Sequence, residues 1–325
     1  MANNFKLYSF ILNPLSAFST PFKGDTLFGM FVWQLANNNG LLNTTFDDFI
    51  KSYKEDNPYA IFSSASLFKD NIFFFKRPSC TFSNFKNQNV IDNFDTISKR
   101  KEDKKKNYFK VAKEDIVNDY CINIIKDNFL EINVDKENTI HNKINRITST
   151  TGAEGFAPYS SLKVYIKRGY KFAIFVVFDE NKLSLDNLKN ALANIGKQGF
   201  GKDSSIGMGK FEIEDYFECH VKNNEFSQYY TLSPFVYGSE DKFNSIYYEP
   251  FTRYGKHGDN AVFSGNPFKN PILMIDEGAI VKTNDLLKRN YIGRALTNVS
   301  KQFDGNVIHQ GYSIVIPCKG DCIKC

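Results

Sequence analysis

Polar and apolar positions along this chain alternate, cluster and lapse in patterns that read as elements. KLYSFILN (6–13) reads as a strand. In DTLFGMFVWQLANN (25–38), Leu27, Phe28, Phe31 and Leu35 fall three and four apart, which predicts a helix with one apolar stripe. Asp25 and Thr26 stand where they can cap its exposed amides. AIFSSASLFKDNIFFFK (60–76) is strand material. From 80 to 140 the pattern dissolves, so that segment reads as an insertion. Order returns with KINRITSTTGAEGFAPYSSLKVYIK (143–167), two strand-like arms around a polar, glycine-bearing tip. FAIFVVF (172–178) is apolar throughout, the pattern of a strand buried on both faces. Ser184 caps a predicted helix whose Leu185, Leu188, Leu192 and Ile195 share one side, and GKFEIEDY (209–216) closes the series as a strand.

Without the insertion the order is β-α-β-β-α-β, the ferredoxin-like or RNA-recognition topology. Beyond about residue 222, the segments YYTLSPFVYG, AVFSGN, PILMIDEGAIVK and NVIHQGYSIVIP predict a second, more degenerate α+β domain. The expected architecture is α+β, with tandem ferredoxin-like domains over 1–222 (insertion at about 80–140) and 223–325.

Composition changes this picture only at the margins. A chain of 325 residues can bury the cores of two domains. A net charge of only +5 means that any polyanion must be met by a local patch rather than by the whole surface. SKRKEDKKK (98–106), with six basic and two acidic residues, reads as a solvated, mobile run. The longest apolar run is too short to cross a bilayer, and MANNFKLYSFILN lacks the pattern of a secretory leader. Cys80, Cys121 and Cys219 stand alone and read as reduced thiols, so a cytoplasmic location is expected.

The candidate chemistry begins at residue 194, in NIGKQGFGKDSSIGMGKFEI, with five glycines in fourteen positions. GKQGFGKD nearly matches the ATP-loop pattern G-x-x-x-x-G-K-[ST]. However, Gly196 ends a helix, Asp203 follows Lys202 where a magnesium-binding hydroxyl belongs, and a strand comes next. Nucleotide hydrolysis and divalent-metal chemistry are therefore not expected. The second half of the loop suits a different anion. Gly207 and Gly209 flank Met208, with Ser204 and Ser205 before and Lys210 after, and such glycines let amides form a concave nest. The serines and lysines would add phosphate contacts that carry no sequence information. The tail CKGDCIKC places Cys318, Cys322 and Cys325 at a C-x3-C-x2-C spacing, but a structural zinc wants four ligands. It is a weak metal candidate, with His309 or a neighbouring chain to supply the fourth ligand, and no cofactor is expected.

Several of these segments together resemble one family. GFGKDSSIGMGKF (199–211) resembles the glycine-rich loops of the RAMP superfamily, the repeat-associated RNA-binding proteins of CRISPR systems. GDTLFGMFVWQL, NRITSTTGAEGF, YYEPFTRYGKHG and HQGYSIVIP resemble, in order, elements of the type III-A (Csm) subunit that holds the 5′ end of the CRISPR RNA. Gly24 replaces the family's usual Ser, and Asn145 the acid before Arg146.

The resemblance implies a non-catalytic scaffold subunit for antiviral defence. It would grip the repeat-derived 5′ tag of the guide, dock the large polymerase-like signalling subunit, and touch a backbone subunit of the RNA-binding filament. Lys197, Gly199, Lys202, Ser204, Ser205, Gly207, Met208, Gly209 and Lys210 would line the tag. Lys143, Arg146 and Thr148 would sit on a thumb-like β-hairpin that wedges between nucleotides. Arg253 and Tyr254 would join the same groove, the ring offering a stacking face, and Lys23 would contact phosphate. The alternative is a RAMP endoribonuclease that processes the guide precursor. That chemistry needs an acid–base pair, typically His with Lys or Tyr, around a 2′-hydroxyl. His141, His220, His257 and His309 form no pair at short spacing, although His141 lies near the hairpin and His257 follows Arg253.

Overall fold

In a computed structural model, the structure describes residues 5–79, 94–152, 155–220, 226–258, 266–287, 289–300 and 307–320. Strand β1 (Phe5–Pro14) leads to helices α1 (Gly24–Asn37) and α2 (Phe46–Lys54), then to β2 (Ala60–Phe62), β3 (Ser66–Lys69) and β4 (Ile72–Lys76). Helix α3 (Phe94–Lys105) is followed by β5 (Tyr108–Ala112), β6 (Ile122–Asn123) and β7 (Phe129–Leu130). A long hairpin, β8 (Asp135–His141) and β9 (Tyr159–Tyr165), precedes β10 (Lys171–Asp179), α4 (Leu185–Gln198) and β11 (Phe211–Glu218). The second half holds β12 (Gln228–Thr231), β13 (Ser245–Tyr247), β14 (Pro250–Arg253) and β15 (Ile272–Ile275). It closes with β16 (Ile280–Lys282), β17 (Tyr291–Leu296) and β18 (His309–Lys319).

The first sheet has eight strands in the order β11-β1-β10-β3-β4-β5-β7, with β2 also on β10. Its first four strands are the antiparallel core of a β-α-β-β-α-β unit. The apolar run at 172–178 is buried along its whole length, because β10 has a neighbour on each side and both its faces are covered. Ser184 caps α4 by accepting from the Asn187 amide at 3.2 Å, and Leu188, Leu192 and Ile195 are buried. Helix α1 differs from expectation at its start. No side chain caps it, and Asp25 turns instead to residues of the second half. Gly24 is required there, since a Cβ would lie 2.2 Å from the Phe62 carbonyl oxygen.

The segment 80–140 is not patternless. YFKVA alternates inward Phe109 and Val111 with outward neighbours, and β5 and β7 widen the sheet past β4. The thumb stem also lies earlier than expected. It pairs Asp135–His141 with Tyr159–Tyr165, so KINRITS forms part of the tip rather than an arm.

The second sheet runs β13-β16-β12-β18-β17, with β6 parallel to β18, and β14 and β15 make a separate ribbon. The α+β class holds, with one qualification. Among the described residues beyond Glu218 there are only strands, and α1 and α2 of the first half pack against β18 and β17. One apolar cluster therefore runs through both halves, joining Phe10, Phe31 and Phe175 to Tyr230, Tyr312 and Ile314.

Polar contacts staple the same seam. The buried Gln310 amide donates to the Phe62 carbonyl at 2.8 Å and accepts from the Phe62 amide at 2.9 Å, standing in for a neighbouring strand. Tyr312 donates to Asp56 at 2.9 Å, and Tyr230 to the Lys76 carbonyl at 2.7 Å. Among the described residues, no helix is long and apolar enough to cross a membrane.

Candidate nucleic-acid interface

The glycine loop leaves α4 at Gly199 and enters β11 at Phe211. Four of its glycines have left-handed backbones: Gly199 (φ +97°), Gly201 (+78°), Gly207 (+90°) and Gly209 (+72°). They serve different ends. A Cβ on Gly199 would lie 2.3 Å from the Met208 carbonyl oxygen, and one on Gly209 would lie 2.2 Å from that of Phe200. These two let the loop close on itself. At Gly207 nothing lies within 4 Å of the Cβ position, so the space above it is open.

The expected amide nest at 207–209 is not there. Gly207 donates to Ser204, Met208 to Asp203 and Gly209 to Ala17, so all three amides are consumed within the chain. The amides of Gly201, Asp203, Ser204 and Ser205 have no acceptor among the described residues. Lys197, Lys202, Ser205 and Lys210 are exposed, while Ser204 and Met208 are half-buried. Lys202 is only loosely engaged, 3.9 Å from Asp203. The donors that remain free therefore lie earlier in the loop than the sequence suggested.

A short connection, Leu15–Thr20, binds this loop to the hairpin. Ser16 and Thr20 hydroxyls accept from the Lys210 and Lys202 amides, both at 2.8 Å. The Ala17 carbonyl accepts from Gly209 at 2.7 Å, and Phe18 exchanges two backbone bonds of 2.9 Å with Val164 on β9. The hairpin and the glycine loop are thus tied to one segment.

At the hairpin tip, Asn145 closes the turn. Its side-chain oxygen accepts from the Ile147 amide at 2.9 Å, and its backbone amide donates to Thr150. This turn leaves Lys143, Arg146 and Thr148 exposed, with Ile147 at 95% exposure between them. The Thr148 and Thr150 hydroxyls lie 2.8 Å apart, and Lys143 stands 5.3 Å from the Phe156 ring centroid.

Two expected contacts belong elsewhere. Lys23 is nearly buried and is held by Asp276 and Glu277, each at 2.6 Å, so its charge is committed to the second half rather than to phosphate. Arg253 grips both oxygens of Asp25, at 2.5 and 2.6 Å, a bidentate pair in which the carboxylate is fully buried. Burial alone would raise the Asp25 carboxyl, but the adjoining His309 and Arg253 hold it far below the usual carboxylate range. His309 Nε2 approaches Asp25 to 3.3 Å without making a hydrogen bond. Only Tyr254, at 75% exposure, keeps a free ring.

No group of metal-ligating side chains occurs among the described residues. Cys318 points into the core and accepts from Gln228 at 3.5 Å, so it does not project into a metal-binding tail; Cys322, Cys325 and Cys80 lie outside the described residues. Burial pushes the Cys219 thiol up to about 12. The histidines are scattered. His257 is buried with Ser300 at 3.1 Å, burial lowering its pKa, while His141 bonds to Ser161 at 2.8 Å and stacks on Tyr159. The main chain of His220 is tied to Val117.

No family model and no curated protein matches this chain. Solved structures do. A chain from the crystal structure of the Csm3–Csm4 subcomplex of the type III-A CRISPR-Cas interference complex is similar at a TM-score of 0.57, with 18% identity, over 96% of this chain and 99% of its own length. A chain from the Csm1–Csm4 cassette in complex with pppApA is similar at 0.56 and 14% identity, over 97% and 98%. The same cassette in complex with cA4 gives 0.57 and 13%, again over 97% and 98%. At these identities the likeness is one of fold, and it spans nearly the whole of each chain.

Proposed function

We propose that this chain, which has the fold of a subunit found in type III-A CRISPR complexes, is a non-catalytic RNA-binding scaffold of such an effector. In this reading it grips the repeat-derived 5′ tag of the guide RNA. It also docks the large signalling subunit and abuts a backbone subunit of the filament. One observation carries the proposal: the exposed cations of the hairpin (Lys143, Arg146) and of the glycine loop (Lys202, Lys210) are tied to one connecting segment. Backbone phosphates would be held by these lysines and by the free amides at Gly201 and Asp203–Ser205, contacts that position RNA without reading it. Ile147 and Tyr254 would supply apolar and aromatic faces for unstacked bases.

The test is purification of the tagged chain from its native host and sequencing of the RNA that comes with it. A uniform population beginning with a repeat-derived 5′ end is expected. No RNA, or RNA with random ends, refutes the reading. A second reading, cleavage of the guide precursor, has one observation in its favour: His141 stacks on Tyr159 at 5.1 Å on the hairpin stem. Precursor cleavage abolished by His141→Ala would establish it; the scaffold reading expects no cleavage.

A further inference from the structure

Several lysines of the described chain have an acidic partner. Lys6 is paired with Glu218, Lys76 with Asp276, Lys113 with Asp215, Lys182 with Asp179 and Lys189 with Asp186. Helix α3 groups three on one face that have none. Lys101, Lys104 and Lys105 are exposed and hold no ion pair among the described residues. They fall at i, i+3 and i+4, so they share one face with about 5–6 Å between Cβ atoms. Asp103, on the other side of the helix, is engaged by Lys106 at 2.9 Å. Like charges at these spacings weaken a helix. The helix dipole favours cations in the last turn, which accounts for Lys104 and Lys105 but not for Lys101.

The basic run of α3 is tied down at its end. Arg77, just past β4, donates to the carbonyls of Asp103 at 2.5 Å and Lys106 at 3.4 Å, and its backbone amide donates to Asn107. These bonds fasten the end of α3 to the far side of the first sheet. With strands ~4.8 Å apart, the five steps from β11 to β5 separate this face from the glycine loop by about 24 Å. That is well beyond the ~8 Å over which charges act through salt water, so α3 cannot add to the field of the loop.

We propose that the face bearing Lys101, Lys104 and Lys105 is a second, sequence-independent docking surface for single-stranded RNA, met by RNA that extends past the loop-and-hairpin site. The proposal rests on the reading of the chain as an RNA-binding subunit. Its test is fluorescence titration of the full-length chain over a salt series, with fluorescent oligouridylates of two lengths, only the longer able to span both sites. The variant is K101Q/K104Q/K105Q, since Gln keeps nearly the helix propensity of Lys. Each lost phosphate contact lowers the salt slope by about 0.7 on a single strand, so the longer oligomer should lose about 2 in slope and the shorter nothing.

The charge-keeping variant K101R/K104R/K105R should behave as the parent, and should the triple Gln change fail to fold, K104Q alone should lower the slope by about 0.7. An unchanged slope for the longer oligomer overturns the proposal. So does a variant that keeps RNA but loses binding to polyglutamate, which would mark an acidic protein as the partner. Arg146→Ala, run in parallel, separates the two hypotheses. If it weakens RNA binding while the α3 changes do not, only the second surface fails. If the α3 changes act and Arg146→Ala does not, the loop-and-hairpin reading fails.

Discussion

Replacing Arg253 by Ala separates a seam that holds the protein together from a groove that holds RNA. The guanidinium donates through Nε and Nη2 to both oxygens of Asp25, whose side chain has no exposed surface. Without it, Asp25 would face only His309 at 3.3 Å, in a site from which water is excluded. Stripping one partner from such a pair leaves a buried, uncompensated charge and costs about 3–5 kcal/mol. A domain holds roughly 5–15 kcal/mol in all, so about a fifth or more of its stability should go. The assay is urea unfolding followed by fluorescence of Trp33, the single tryptophan, which sits on the same helix, α1, as Asp25. Salt should change the loss little, because buried pairs are poorly screened. The double change Asp25→Asn with Arg253→Met should recover most of the loss, as replacing both members of a buried pair often does. RNA affinity per folded molecule should keep its salt slope. An unfolding midpoint equal to that of the parent, with a slope lower by about 0.7, would refute this reasoning and return Arg253 to the phosphate.

The two glycines at the end of the loop should part company. Gly209→Ala must fit a Cβ 2.2 Å from a backbone oxygen at φ +72°, and should cost roughly 2–5 kcal/mol in thermal or urea unfolding. Gly207→Ala, in open space at φ +90°, should cost only about 1–2 kcal/mol; equal losses would contradict the geometry. Arg146→Ala should move stability by less than about 0.5 kcal/mol and yet weaken RNA binding with a slope lower by about 0.7. Asp276 is buried, which by itself would raise its carboxyl, but Glu277, Lys23 and Lys76 push it down to about 2. A depressed carboxyl contributes stability above its unfolded pKa of about 4 and loses it as pH falls through the folded value. The urea midpoint should therefore fall between about pH 5 and pH 2, and less steeply in Asp276→Asn; equal steepness would count against the pairing.

What the sequence disclosed was local. The unbroken apolar run at 172–178, the Ser184 cap and the leucine stripe of α4 each depend on near neighbours, and each is present as read. YFKVA carries the same kind of alternation, but it is short and follows a basic run, so its period is hard to distinguish. The hairpin's first arm is not legible because the polar DKENTIH that forms β8 has little apolar period. The seam was out of reach. Lys23 and Arg253 look like free cations in sequence because their acids lie 254 and 228 residues away. The loop was recognisable by its glycines, but which amides face outward is decided by Ser16, Ala17 and Thr20, residues with no motif of their own.

The grip of Gln310 on the Phe62 peptide has a consequence for the order in which the molecule can be made. Gln310 leaves the ribosome 248 residues after its partner, which at 5–20 residues per second is roughly ten to fifty seconds later. Until β18 arrives, α1 lacks the strand it packs against, and the Phe62 amide and carbonyl lack their bonds. The nascent first half therefore holds an open apolar flank throughout the synthesis of the second, and the two halves finish folding together rather than in turn.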